Sequence, residues 1–173
     1  MKNEINFNTL KYFKIFDNIN EEILTKFHAK MLIKKFKKNS NIIKEGEEGD
    51  SFLFLLKGDI SISQAITLNT NMQNINDNRE KELIRINSKN QNFSFGEVSL
   101  LNADKKRTAS VKTNSECLIA ELKFIDFFNI CEKNKEAGYV IMKNIGTIIT
   151  KQLISSNNRV LKLTTAFSLL IDD

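Results

Sequence analysis

The chain has 173 residues, 41% hydrophobic and 27% charged, with a formal net charge of +5. This size and balance fit one globular domain with a core of its own, and no apolar run is long enough to span a bilayer, which argues against a membrane protein. Cys117 and Cys131 form no C-x-x-C pair and read as ordinary buried thiols in a reducing compartment.

From the N-terminus, Met1–Phe16 intersperses Lys2, Lys11 and Lys14 among apolar residues, with no apolar h-region or small-residue cleavage site. That pattern speaks against a secretory signal and for a cytoplasmic protein. Leu10, Phe13 and Phe16 at helical spacing predict a helix over 8–16. Asn20 before Glu21-Glu22-Ile23-Leu24 is an N-cap with acids in the first turn, opening a second helix that buries Ile23, Leu24 and Phe27. Strands are predicted at about 31–36, 41–44, 52–57, 59–66, 82–86, 92–95, 107–113 and 117–122. Gly46, Gly49 with Asp50, and Gly58-Asp59 supply the turns between them. The stretch 67–81, with Asn69, Asn71, Asn74, Asn76 and Asn78, is longer than a hairpin needs and reads as a mobile loop. Lys34-Lys35-Phe36-Lys37-Lys38 is the one dense basic run. It reads as solvated surface, so no nucleic-acid partner is expected.

From Phe124 the hydrophobic period becomes helical. A short helix is predicted over Asp126–Glu132 and a long one from Glu136 to about Leu170, with Ser155-Ser156-Asn157-Asn158 as the place for a bend. Met142, Gly146, Ile149, Leu153, Ser156, Val160, Leu163, Phe167 and Leu170 fall at alternating steps of four and three, an a/d seam. The seam serves either to pack on the strands or to pair with a second copy; the sequence favours the homodimer.

The most informative stretch is Phe95-Gly96-Glu97-Val98-Ser99-Leu100-Leu101, followed by Asn102–Lys106 and Arg107-Thr108-Ala109-Ser110-Val111. Gly96 lets a ligand approach the backbone, because it has no Cβ. Glu97–Leu101 has the composition of a helical turn whose first N–H groups are free for an anion. Glu97 can accept hydrogen bonds from sugar hydroxyls, and Arg107 brings a planar, permanently charged fork that fits phosphate oxygens.

This run resembles the phosphate-binding cassette of the cyclic nucleotide-binding domains, the family of the bacterial catabolite activator, the regulatory subunit of cAMP-dependent kinase and cyclic nucleotide-gated channels. Upstream, Ile42–Ile62 resembles the family's strand–turn–strand run of the form I-x-x-x-G-x-x-x-D-x-x-x-x-I-x-x-G-x-[VI]-x-[VI]. The resemblance implies an α+β fold, an antiparallel jelly-roll-like β-barrel flanked by N-terminal helices (1–30) and C-terminal helices (124–173), with the roll over 31–123. It implies that Glu97 binds the ribose 2′-hydroxyl and Arg107 the exocyclic phosphate oxygens. It also implies that Phe95, Gly96, Val98, Ser99, Thr108 and Ala109 line the ligand. Base capping is expected from the last helix, with Ile148, Lys151 and Gln152 as candidates.

No catalytic residue is expected, and no metal or cofactor. His28 is the only histidine and is placed at a partly buried surface position. The acids Glu45, Glu47, Glu48 and Asp50 read as solvated turn residues. No helix-turn-helix is expected after the last helix. The expected protein is a cyclic nucleotide sensor that is not an enzyme, with cAMP favoured over cGMP by family frequency and Thr108 keeping cGMP in contention. It would signal to a protein partner the sequence does not identify. The competing reading is a scaffold or interaction protein of the same fold that binds no nucleotide.

Overall fold

The computed structural model describes residues 7–65 and 80–171. Helix α1 spans Phe7–Leu10, and a 3-10 turn follows at Lys14–Phe16. The sequence predicts one helix here. Leu10, Phe13, Ile15 and Phe16 are all buried, a wider apolar surface than a single helical stripe presents, and i to i+3 bonds such as Phe13 N–H to Leu10 O break the segment up. Helix α2, Glu21–Lys30, begins as expected, with the Asn20 side chain accepting from the Ile23 N–H at 2.9 Å.

Eight strands follow: β1 (Leu32–Phe36), β2 (Asn41–Ile43), β3 (Ser51–Lys57), β4 (Asp59–Ala65), β5 (Glu80–Asn87), β6 (Phe93–Phe95), β7 (Ser110–Thr113) and β8 (Cys117–Lys123). They pair antiparallel in two four-stranded sheets, ordered β1-β8-β3-β6 and β2-β7-β4-β5. The two antiparallel sheets and flanking helices match the expected α+β architecture, and among the described residues no ladder closes the sheets into a barrel. The predicted loop lies outside the described residues apart from its end, where Glu80 and Lys81 belong to β5.

The continuous apolar run of β3 has a plain cause. Alternate residues face opposite sides of a strand, and both sides of this strand are covered. Phe52 and Phe54 point into a cluster with Leu10, Phe13, Phe16, Phe27 and Phe127 from the helices. Leu53 and Leu55 point into a second cluster with Ile60, Ile86, Phe95, Val111 and Ile119, between the sheets. The first sheet is thus the middle layer, with helices on one face and the second sheet on the other.

Short helix α3 spans Glu97–Leu101, α4 spans Phe124–Lys133 and α5 spans Lys135–Ile171. Ile141 and Ile145 bury the first part of α5, and Asn144 Nδ2 donates to the carbonyls of Ile15 and Asp17 at 3.2 and 2.8 Å. From Lys151 to Ile171 every residue is exposed. The helix continues unbroken through Ser155–Asn158. These residues are weak helix formers rather than breakers, and their propensity deficit is small beside a helix of 37 residues. Cys117 is buried as expected, whereas Cys131 is only half-buried, at the junction with α5; both are free thiols. No described helix is long and apolar enough to cross a membrane.

Phe54 is fully buried, edge-on to Phe13 at 5.2 Å and stacked on Phe16 at 5.5 Å. Phe54→Ala is expected to cost about 3–5 kcal/mol, the usual range for emptying a buried aromatic site. Urea unfolding should show it as a lower midpoint at unchanged slope.

Candidate ligand-binding site

The site is built around a buried arginine. The turn between β2 and β3, which crosses from one sheet to the other, clamps the chain on both sides of it. Gly46 N–H donates to Arg107 O at 2.9 Å, Arg107 N–H to Glu47 O at 2.8 Å, and Gly49 N–H to Lys105 O at 2.7 Å. Residues 107–109, expected as strand, therefore lie outside β7, which starts only at Ser110. With its backbone held, the side chain runs inward and is 6% exposed. Nη2 donates to Ser51 O at 3.0 Å and weakly to Ser51 Oγ at 3.4 Å. Nη1 is buried with no hydrogen-bond partner. Burial lowers the proton affinity of the guanidinium, while Asp50, Glu121 and Glu97 oppose that; an arginine stays charged regardless.

Two glycines make room for it. A Cβ on Gly49 would lie 2.6 Å from Arg107 Nε, and one on Gly96 would lie 2.5 Å from Nη1. Gly96 also has φ of 103°, in the left-handed region, where it caps α3.

Glu97, the first residue of α3, is 5% exposed. Burial raises its proton affinity, opposed by the Gln152 hydrogen bond, its own backbone N–H and the charge of Arg107. Gln152 Nε2 donates to Glu97 Oε1 at 2.8 Å. Ser99 is also buried, but its hydroxyl donates to Lys106 O at 3.2 Å and so braces the loop.

A cavity of about 470 Å³ lies against these groups, within the usual range for a small-molecule site. Phe95, Gly96, Glu97, Val98, Ser99, Arg107, Thr108 and Ala109 all line it, as do Lys151 and Gln152 from α5. Ile148 does not. It packs on the helical core and borders a neighbouring groove, because its direction on α5 is that of Ile141 and Ile145. The sequence reading missed Gln64, Leu83, Ile84, Ser155, Ser156 and Arg159, and Ile43, Ile62, Phe93 and Val111 complete the wall. The spacing of Lys151, Ser155 and Arg159 at i, i+4 and i+8 was the available signal for one helix face. Leu83 and Ile84 are consecutive, and the register shift opposite Ile62 and Ser63 brings both to the cavity. That irregularity leaves no mark in the sequence. One end of the cavity offers a cationic donor and a carboxylate, and the rest is largely apolar, which suits a small anion bearing hydroxyls and a flat apolar part.

The family model described as the cyclic nucleotide-binding domain matches residues 33–134, more than half of the chain. The chain belongs to the cyclic nucleotide-binding domain family. It is 24% identical over 131 residues to the cAMP-activated global transcriptional regulator CRP of Pasteurella multocida, covering 76% of this chain and 55% of that protein. It is 28% identical over 121 residues to the cGMP-dependent protein kinase isozyme 1 of Drosophila melanogaster, covering 68% of this chain and 14% of the kinase. The chain thus spans about half the length of that regulator. Among solved structures, the Thermus thermophilus catabolite activator protein matches with a TM-score of 0.70 at 14% identity, covering 88% of this chain and 63% of that one. The regulatory domain of Toxoplasma gondii PKA with cAMP matches with a TM-score of 0.64 at 19% identity, covering 86% and 48%. Both show the fold of this cyclic nucleotide-binding domain.

The raised proton affinity of Glu97 has a consequence for stability. A carboxyl that binds its proton more tightly folded than unfolded stabilises the fold below the unfolded value of about 4.5, and that contribution is lost as pH rises through the higher folded value. Glu97→Gln removes the loss while keeping an acceptor for Gln152. Without nucleotide, the variant is expected to melt above the wild type at neutral pH, the gap closing below pH ~4.5. Thermal scans from acid to neutral pH check this; a lower neutral melting temperature would mean that attraction to Arg107 outweighs burial.

Proposed function

We propose that the chain is a regulatory module that binds a purine 3′,5′-cyclic monophosphate, cAMP ahead of cGMP, and transmits occupancy through α5. The observation that carries this reading is Arg107 Nη1, a charged donor buried without a partner at the wall of a cavity that also holds Glu97. An exocyclic phosphate oxygen satisfies such a donor, and a ribose 2′-hydroxyl donates to the carboxylate. Preference for cAMP rests on relatives named for cAMP; the relative named for cGMP, and the Thr108 hydroxyl, leave cGMP as the competitor. The intact Glu97 and Arg107 favour a binding module over a scaffold that has lost its ligand.

Calorimetric titration with cAMP, cGMP and linear 5′-AMP tests the reading. Micromolar or tighter binding of a cyclic nucleotide, with 5′-AMP much weaker, is expected. Arg107→Ala should lose about 2–5 kcal/mol, roughly thirty-fold to several-thousand-fold in affinity, because a buried charge pair loses one side. An unchanged affinity refutes the site.

Switching follows from where α5 stands. The face carrying Lys151, Gln152, Ser155, Ser156 and Arg159 touches the ligand only when the helix lies against the cavity, so nucleotide shifts the population toward that state. Amide exchange over 136–163 should slow on adding nucleotide, together with 95–111. Protection confined to the cassette would mark a passive binder.

The distal half of α5 also fits a second copy. Leu153, Val160, Leu163, Phe167 and Leu170 are each more than half exposed and lie along one seam, and heptad spacing is self-complementary in a helix pair. Sedimentation is expected to give a dimer that Leu163→Glu with Phe167→Glu converts to a monomer without loss of the folded core.

A further inference from the structure

We propose that Gln152 is a ribose-reading residue: it ties the C-terminal helix to the cassette through Glu97 and makes helix docking depend on the sugar hydroxyl. This rests on the cyclic-nucleotide reading above and assigns to Gln152 a role other than base capping.

Gln152 lies two helical turns past Ile145, the last buried residue of α5. Beyond Lys151 no residue of the helix is buried, so apolar packing does little to hold this segment against the body. Among the described residues, the 2.8 Å bond from Gln152 Nε2 to Glu97 Oε1 is the one side-chain hydrogen bond from α5 beyond Asn144 to another element. The acceptor is a buried carboxylate, which makes this a charge-assisted bond in a partly dry place.

The stoichiometry of donors and acceptors gives the bond its second use. A carboxylate has two oxygens and about four acceptor positions, and a glutamine amide has two N–H donors and one acceptor oxygen. Gln152 occupies one of these positions, on Oε1. A hydroxyl beside the pair can donate to Glu97 and accept the second N–H of Gln152 at the same time. A cyclic nucleotide with its 2′-hydroxyl therefore completes a three-way contact among cassette, sugar and helix. The 2′-deoxy analogue leaves that contact open. Because coupling between two binding events is reciprocal, whatever the helix adds to ribose affinity the ribose adds to helix docking. Lys151, Ser155, Ser156 and Arg159, on the same face, remain for the base.

The test compares wild type, Gln152→Ala and Gln152→Glu in the full chain. First, amide exchange over 149–159 without nucleotide is expected to be about tenfold faster in Gln152→Ala, as for loss of a hydrogen bond to a charged acceptor. In Gln152→Glu two carboxylates face each other, so the helix should loosen at alkaline pH and dock again in acid, where one of them holds a proton. A side chain acting only through its size would show no such pH dependence. Second, affinities for cAMP and cGMP are compared with those for their 2′-deoxy forms. The wild type should prefer the ribose form by at least about tenfold, and Gln152→Ala should lose most of that preference. Unchanged exchange in Gln152→Ala, or an unchanged ribose-to-deoxyribose ratio, overturns the role given to Gln152 while leaving the cyclic-nucleotide reading standing. A wild type that binds no cyclic nucleotide overturns both.

Discussion

Keeping a guanidinium out of water is the constraint that the rest of this structure serves. Arg107 is buried while only one of its terminal nitrogens is bonded, an arrangement that carries a desolvation cost of several kcal/mol unless something compensates it. The surroundings hold the group rigidly rather than relieve it. The β2–β3 turn grips the backbone on both sides of the residue. Gly49 and Gly96 leave it space that any larger residue would fill. The pairing of Leu53 with Phe95 brings the start of β3 beside the end of β6, so that Ser51 and Gly96 flank the guanidinium. A flexible cation would swing to solvent; this one is fixed where a ligand must meet it, which lowers the ordering cost of binding.

The layering explains why that fixation is possible. The first sheet is covered on both faces, by the helices and by the second sheet. The polar residues of its inner face collect near one end, where Glu121 binds Lys34 at 2.7 Å and accepts from Ser51 Oγ at 3.2 Å. Ser51 thus stands between Glu121 and Arg107, and its carbonyl is the acceptor that aims the guanidinium. The hydrophobic cores supply rigidity, and this polar edge supplies direction.

The sequence reading located seven of the eight strands closely because turn glycines and period-two alternation are local signals, and it located the site because the cassette residues lie within a single short run. Its failures share a cause. The N-terminal helix broke because Ile15 must be buried beside Phe16, a demand set by the partner core. Arg107–Ala109 left β7 because the β2–β3 tip captures their backbone. Ile148 turned to the core because the rotation of α5 is set by Asn144, Ile141 and Ile145 packing elsewhere. Each depends on contacts between residues distant in the chain, which neither propensity nor spacing records.

The two charges of the site show what the fold is arranged for. Glu97 and Arg107 are both buried at one cavity and attract each other, yet among the described residues no ion pair joins them. A direct pair would satisfy both groups and leave nothing for a ligand. Instead each charge is held by a neutral partner, Arg107 by the Ser51 carbonyl and Glu97 by the Gln152 amide. Neutral dipoles orient a charge without cancelling it. The site therefore keeps an unspent donor and an unspent acceptor side by side in a partly dry cavity, where such bonds are stronger than in water. Under the proposed function, that separation favours a small molecule carrying both an anion and a hydroxyl. A ligand with the anion alone meets only Arg107, and one with the hydroxyl alone meets only Glu97. Because the partner of Glu97 comes from α5, the acceptor half of the site is also the half that touches that helix.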